Sequence, residues 1–388
     1  MATTVASRGR AAVPLRMQQT LELVLGFGLR KLQSTSTFVK YLALLLFIVN
    51  AGAWPFVWHF RVFHFVLPDN LSYLALYIRH LFTRRKKWAL ALQDWNERRM
   101  AIGINPFRQV WTYKWRVDIH EGDLFMHMSN SSYAAVLDRT RMHLATMVFP
   151  TLLRIGGMAP LAAMHYHFIR EIPTLSHYQV RATIVAWDQK WFYAVFRFVR
   201  PASGKDQGKG KKIMPDPSPI AATPLPAPTN GVNHSNGSAD PDDIMKAIAA
   251  RAVHEPEPDG ATLYTVVVNQ FCFKVGRISV PPAVVFACNG LYTPADPESA
   301  PAKGPAPPWW ETVREINRSN AKIRKFFSGG WREMPPEQRF WEQAFGPGEE
   351  IRQARLEAFT GQYDAPQKGG LAGSMELVKQ VSRLPVVP

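Results

Sequence analysis

Apolar and polar positions begin to alternate at Gln109–Ile119 (QVWTYKWRVDI), the pattern of a half-buried strand. A turn at Glu121-Gly122-Asp123 follows. From Ser131 to about Met147 the period changes, and Tyr133, Val136, Leu137, Leu144 and Met147 recur on one helical face. Ser129, Asn130 and Ser131 are all good N-cap residues for that helix. Three alternating runs come next, AAMHYHFIREI, YQVRATIVAWD and KWFYAVFRFVR, separated by Pro173-Thr174 and by Asp188-Gln189. They read as successive antiparallel strands, the last two forming a hairpin turned at Asp188. Thr262–Val280 returns to strand character, with Gly276 a bulge candidate, and Pro281-Pro282 ends it. The pattern predicts an α+β domain over 108–290, one long helix wrapped by a curved antiparallel sheet.

The flanking regions have different periods. Between Lys40 and Arg61 there is no Lys, Arg, Asp or Glu, and YLALLLFIVNAGAWPFVW has the length of a transmembrane helix. This predicts a basic segment at 1–36, a transmembrane anchor at 37–66 and a juxtamembrane helical linker at 67–107. The protein would then be a single-pass membrane protein facing membrane lipid. Arg8, Arg10 and Arg16, with no acidic residue before residue 22, also fit a mitochondrial targeting sequence, so the endoplasmic reticulum and the mitochondrion both remain open. Residues 202–261 are rich in Gly, Pro, Ser and Asp and predict a disordered insertion inside the domain, with DDIMKAIAAR a short helix at most. Residues 291–388 form an extension in which WWETVREINRSNAKIRKFF predicts an amphipathic helix, packed on the domain or lying on a membrane.

The 388 residues are 47% hydrophobic, enough for a sizeable core, although 31 prolines keep part of the chain out of it. A net charge of +16 favours phosphate-bearing partners. Zinc-finger spacing, an aromatic-basic RNA signature and a recognition-helix pattern are all missing, so nucleic acid is not among the expected partners. Cys272 and Cys288 are too few for a disulfide framework and too far apart in sequence for a zinc or redox pair.

The turn before the helix carries Asp123-Leu-Phe-Met-His127-Met-Ser-Asn130-Ser-Ser-Tyr133, with Asp138 and Arg141 further on. This stretch resembles the signature of hotdog-fold acyl-CoA thioesterases of the 4-hydroxybenzoyl-CoA thioesterase type. Within them it is similar to the membrane-associated group typified by thioesterase superfamily member six. The resemblance implies a hotdog fold, an acyl-CoA or related thioester substrate, a homodimer and no cofactor or metal. It places the catalytic carboxylate at Asp123 and a second catalytic position at Asn130. His127, Ser131 and Tyr133 become substrate-binding candidates. Ser129 replaces the first Asn of the usual pair, and Met126 stands where many active members have Gly.

The residue types suit the chemistry. Thioester hydrolysis needs a nucleophile or general base, and donors aimed at the carbonyl oxygen as it gains charge. Asp123 meets the first need, and the unpaired backbone N–H groups at the helix start, near Asn130 and Ser131, meet the second. Simpler roles stand beside these. Asp123 closes a turn, Tyr133 fills the core, Asp138 and Arg141 form an ion pair, and His165 and His167 sit in a core or an interface. Trp187, Lys190 and Trp191 read either as a nucleotide-contacting turn or as hairpin packing. A non-catalytic acyl-binding or scaffolding protein is the alternative function.

Overall fold

The computed structural model describes residues 36–202, 257 and 259–360, and it divides into two units, Met1–Trp58 and His59–Pro388. In the first unit α1 (Thr37–Val49) is apolar and exposed along its length. Asn50 ends it, with both its backbone N–H and its side-chain amide donating to the Leu46 carbonyl at 3.1 and 2.8 Å. Trp54 then folds back, stacking on Phe47 at 4.2 Å and donating its indole N–H to the Phe47 carbonyl.

The expected membrane span over 37–66 therefore does not form. The 13 residues of α1 rise about 20 Å, short of the roughly 30 Å of hydrocarbon. Among the described residues no helix is long and apolar enough to cross a membrane. This overturns the single-pass localisation in either organelle. The physical reason is the Asn50-Ala51-Gly52 break followed by Pro55, which a hydropathy window averages away. The basic stretch up to residue 35, with Arg8, Arg10 and Arg16, lies outside the described residues.

Three helices follow in sequence, α2 (Val57–Phe63), α3 (Leu67–Arg79) and α4 (Arg85–Glu97). The central architecture then opens with β1 (Trp111–Arg116), the long α5 (Asn130–Val148) and the short α6 (Pro150–Arg154). Strands β2 (Leu161–Phe168), β3 (His177–Trp187), β4 (Trp191–Arg200), β5 (Thr262–Val275) and β6 (Ile278–Val280) complete an antiparallel sheet ordered β1-β3-β4-β5-β2, with β6 paired to β5. This is the hotdog arrangement, a sheet laid around one long helix. The β3–β4 turn is closed by Asp188, whose Oδ1 accepts from the backbone N–H of Lys190 and Trp191 at 2.6 Å each. Gly276, read from sequence as a bulge, instead makes the tight β5–β6 turn at φ +60°.

Tyr133, Val136, Leu137, Leu144 and Val148 of α5 are buried against the inner sheet face of Tyr178, Ala194, Phe196, Phe198 and Val267. The aromatic contacts fix the helix along the sheet. Tyr133 meets Phe168 and Phe198 at one end, and Phe149, just past the other end, meets Phe192, Phe273 and Phe286. The outer face is buried too, with Val185, Tyr193, Val195, Val199, Val266 and Val268 in a second cluster. Burial on both faces explains the long apolar runs of β3 to β5.

Residues from the predicted insertion help to close that outer face. Glu257 is buried and accepts from Arg197 Nη1 at 2.6 Å and from Arg181 Nη1 at 3.4 Å, and Asp259 takes the other arm of Arg181. The end of the 202–261 stretch is thus part of the fold, because two arginines facing outwards from β3 and β4 require a buried counter-charge. Residues 203–256, including DDIMKAIAAR, lie outside the described residues.

Beyond β6 come α7 (Pro282–Cys288), α8 (Trp310–Asn317), α9 (Asn320–Phe327), α10 (Phe340–Phe345) and α11 (Glu349–Thr360). The single amphipathic helix expected in this extension is two helices, broken at Arg318-Ser319, where Ser319 Oγ caps α9 by accepting from Lys322 N at 3.2 Å. Val313, Ile323 and Phe327 are wholly buried in the main core, so this apolar face is spent on the domain. Both cysteines are free and buried.

Glu257→Gln would keep the shape and leave two buried guanidinium groups short of charge. The expected loss is about 3 kcal/mol, the lower end for one partner removed from a buried ion pair, read as a lower urea midpoint at unchanged slope. An unchanged midpoint would mean that Arg181 and Arg197 are compensated elsewhere.

Candidate active site

The candidate site is the loop between β1 and α5. A buried ionic cluster sets its position. Glu121 is 3% exposed, and its carboxylate is held by the guanidinium of Arg139, which is 2% exposed near the middle of α5. The same carboxylate accepts from Asp118 N at 3.1 Å, and Arg61 reaches both Asp118, at 2.5 Å, and Glu121, at 3.6 Å. Arg61 and Arg139 both lie over the ring of Trp115, with their Cζ atoms 5.7 and 5.5 Å from its centroid. The Glu121 carbonyl in turn accepts from Ser129 N and Ser132 Oγ, each at 2.9 Å. One residue thus joins the end of β1, the loop and the first turn of α5.

Two residues on, Asp123 is exposed. Its Oδ1 accepts from the backbone N–H of Phe125 at 2.9 Å and of His127 at 3.1 Å, and its own N–H donates to the His127 carbonyl at 2.7 Å. Among the described residues Oδ2 has no hydrogen-bond partner. The tip residues Leu124 and Phe125 are 94% and 77% exposed. Met126 takes φ +62°, the left-handed region that favours glycine, which explains why a glycine suits this position in such a turn.

His127 is half-buried, with Nδ1 2.9 Å from Glu171 Oε2, and its backbone pairs with Pro173. The loop is stitched to the stretch before β3 by Met128 N to the Ile172 carbonyl at 2.7 Å and Thr174 N to the Met126 carbonyl at 2.8 Å. Asn130 and Ser131 are exposed at the first two positions of α5. Ser129 makes no side-chain cap; its hydroxyl lies 2.7 Å from that of Ser131. The N–H groups of Asn130 and Ser131 consequently have no acceptor among the described residues. The structure thus brings Asp123, His127, Asn130 and Ser131 to one end of α5.

Tyr133 is set apart from that group. It is 1% exposed in the core, beside Thr265 and the Ile172 backbone, and burial pushes its phenol up to about 12. Asp138 and Arg141 form a contact pair on the helix. His165 and His167 meet edge to face on β2, their ring centroids 4.6 Å apart, and burial, then His165, hold His167 down at about 4. Among the described residues the one cluster with ligand-like spacing is Asp118, His120 and Glu121, and Arg61 and Arg139 already neutralise its carboxylates. Glu121, Arg139 and Arg61 were missed in the sequence. Arg139 lies three residues past Val136, beside the apolar face, and a cation there signals a buried partner.

Comparison with known proteins matches residues 117–214 to the model of the thioesterase-like superfamily. The chain is 36% identical over 81 residues to the probable thioesterase YBR096W of Saccharomyces cerevisiae, covering 20% of this chain and 35% of the yeast protein. Thioesterase poxG of Penicillium oxalicum is 23% identical over 229 residues, 55% of this chain and 64% of that one. Protein THEM6 of Danio rerio is 29% identical over 91 residues, 23% of this chain and 45% of the fish protein. The chain thus spans between about a third and two thirds of the length of these relatives. Among solved structures, 4-hydroxybenzoyl-CoA thioesterase from Pseudomonas sp. strain CBS-3 aligns over 46% of this chain and 98% of its own, at 11% identity and a TM-score of 0.28, too low to bear on function.

Arg139→Met removes the cation and leaves the Glu121 carboxylate buried beside a single partly exposed arginine. We expect a loss of about 3–5 kcal/mol, measured by chemical denaturation, with faster amide exchange at Ser129 and Ser132. Exchange at those two sites unchanged relative to the rest of the chain would show that Glu121 does not hold the helix start.

Proposed function

We propose that this protein hydrolyses an acyl-CoA or a related acyl thioester at the loop before α5. Asp123 acts as general base or nucleophile, and the N–H groups of Asn130 and Ser131 form the oxyanion site. The observation that carries this reading is the division of labour at Asp123. One carboxylate oxygen is tied to the loop backbone and the other has no partner among the described residues, within a few residues of an uncapped helix start. In the base route, Oδ2 takes a proton from water as the water oxygen attacks the thioester carbon. The carbonyl oxygen gains charge beside the helix-start donors, where pre-aimed N–H groups stabilise it most. Collapse expels the thiolate, which leaves as thiol after protonation. The thioesterase names of the curated relatives agree with this activity. The Asn130 side chain orients the water or the thioester, His127 holds the loop against Glu171, and Tyr133 bounds the acyl end from within the core.

The same residue favours a second reading. Asp123 Oδ1 closes the turn without any chemistry, as expected of a non-catalytic acyl-binding or scaffolding protein. Thiol release from acyl-CoA esters of graded chain length, compared between wild type and Asp123→Asn, separates the two. We expect kcat to fall by about 10²–10⁴ in the variant, the range for a lost general base, with KM within a few-fold. No turnover by folded wild type at any chain length would establish the second reading.

We further propose a homodimer. β2 ends the sheet order, and Met164 and Phe168 on that strand are exposed, as is the Leu124-Phe125-Met126 tip. An unpaired strand edge flanked by apolar side chains needs cover. Light scattering of the purified full-length chain is expected to give twice the 43.8 kDa chain mass. A monomer at micromolar concentration would refute the assembly.

A further inference from the structure

A second concave site lies at the opposite end of α5 from Asp123. It is a cavity of about 700 Å³ between the β3–β4 turn and the carboxy-terminal extension, a size ordinary for small-molecule sites. Its depth is aromatic, from Trp187, Trp341 and Phe345, all nearly buried. Trp187 also packs on Phe286, which stacks on Phe149 just beyond the end of α5. The 19 residues of α5 therefore hold this cavity and the Asp123 loop apart by about 28 Å.

The charges around it are unequally committed. Glu349 is paired with Arg352 through two contacts, and the arginine keeps its carboxyl below the usual carboxylate range. Arg352 Nη1 also donates to the Trp187 carbonyl. Arg339 donates through Nε to the Met334 carbonyl at 3.2 Å and through Nη1 to Glu342 at 3.3 Å, which leaves Nη2 uncommitted. Asp188 spends Oδ1 on the turn backbone, and Lys190 of that turn lies over Trp191 at 4.3 Å. Arg332 is exposed at the cavity with its guanidinium 4.9 Å over Trp331 and no carboxylate partner among the described residues. The Trp331 Nε1–H is buried and likewise has no acceptor. Among the lining residues three arginines, Arg332, Arg339 and Arg352, stand with three carboxylates, Asp188, Glu342 and Glu349, and of these arginines Arg332 alone lacks a carboxylate partner among the described residues. A guanidinium without a carboxylate partner beside an aromatic cavity is a ready partner for the carboxylate of a ligand.

We infer that this cavity is a binding site for a flat, singly charged organic acid, its ring against the tryptophans and its carboxylate on Arg332 and Arg339. The site is built by the extension and the hairpin, outside the Asp123 loop, and the proposal is independent of the thioesterase reading. Trp187 thereby finds a use away from the thioester.

Calorimetric titration of the full-length chain with 2-naphthoate, and separately with the uncharged 2-naphthalenemethanol, tests it. The acid is expected to bind at least about tenfold more tightly than the alcohol, the worth of one charge-assisted hydrogen bond. Arg332→Ala and Arg339→Ala should each remove about tenfold of the acid's affinity and leave the alcohol unchanged, with Arg332→Lys recovering part of it. Arg332 is exposed, so its variants keep the fold, which circular dichroism checks. Asp123→Asn should leave the titration unchanged. Equal affinities for acid and alcohol, acid binding unaffected by both arginine variants, or acid binding lost in Asp123→Asn would each overturn the assignment.

Discussion

Burial of the Glu121 carboxylate against Arg139 is the constraint on which the loop and the helix start depend. A carboxylate at 3% exposure is costly unless its charge and lone pairs are met, and here Arg139, Arg61 and the Asp118 N–H meet them. Because Arg139 sits within α5 and Glu121 on the approach to it, the pair fixes where the helix begins relative to β1. Trp115, covered by both arginines, keeps water from the cluster. Asp123, two residues downstream, inherits that position.

The geometry at Asp123 separates two tasks within one side chain. Oδ1 stiffens a five-residue turn by holding the Phe125 and His127 amides, and this binding is what allows Met126 to remain at positive φ without glycine. Oδ2 stands outside that scaffold. Ser129 contributes by not capping: its hydroxyl turns to Ser131, so the first N–H groups of α5 stay unpaired.

Much of the architecture was legible because the periods are clean. The change from alternation in QVWTYKWR to helical spacing from Tyr133 to Leu144, and back again, marks strand, helix and strand in order. The turn residue Asp188 marked its hairpin for the stated physical reason. The membrane span failed because a hydropathy average ignores the capping of α1 at Asn50 and the fold-back of Trp54 onto Phe47. The outer-face cluster was illegible because Arg181 and Arg197 look like solvent-facing positions of alternating strands; their partner Glu257 lies far along the chain, in a stretch whose composition points to a linker. In the site, Asp123 and its neighbours share a short local motif and were readable, whereas Glu121 and Arg139 are joined only by tertiary contact.

Covering the outer sheet face has a consequence for how copies of this chain can meet. The inner face of the sheet holds α5, and the outer face holds Glu257 with Leu356 of α11 packed on its apolar cluster. Neither face is left to stack on another sheet, so lateral joining at a strand edge is the geometry that remains for sheet-mediated association. Such joining is self-limiting when it uses one edge twice under two-fold symmetry. The extension that builds the second cavity therefore also leaves the strand edges as the part of the sheet open to association.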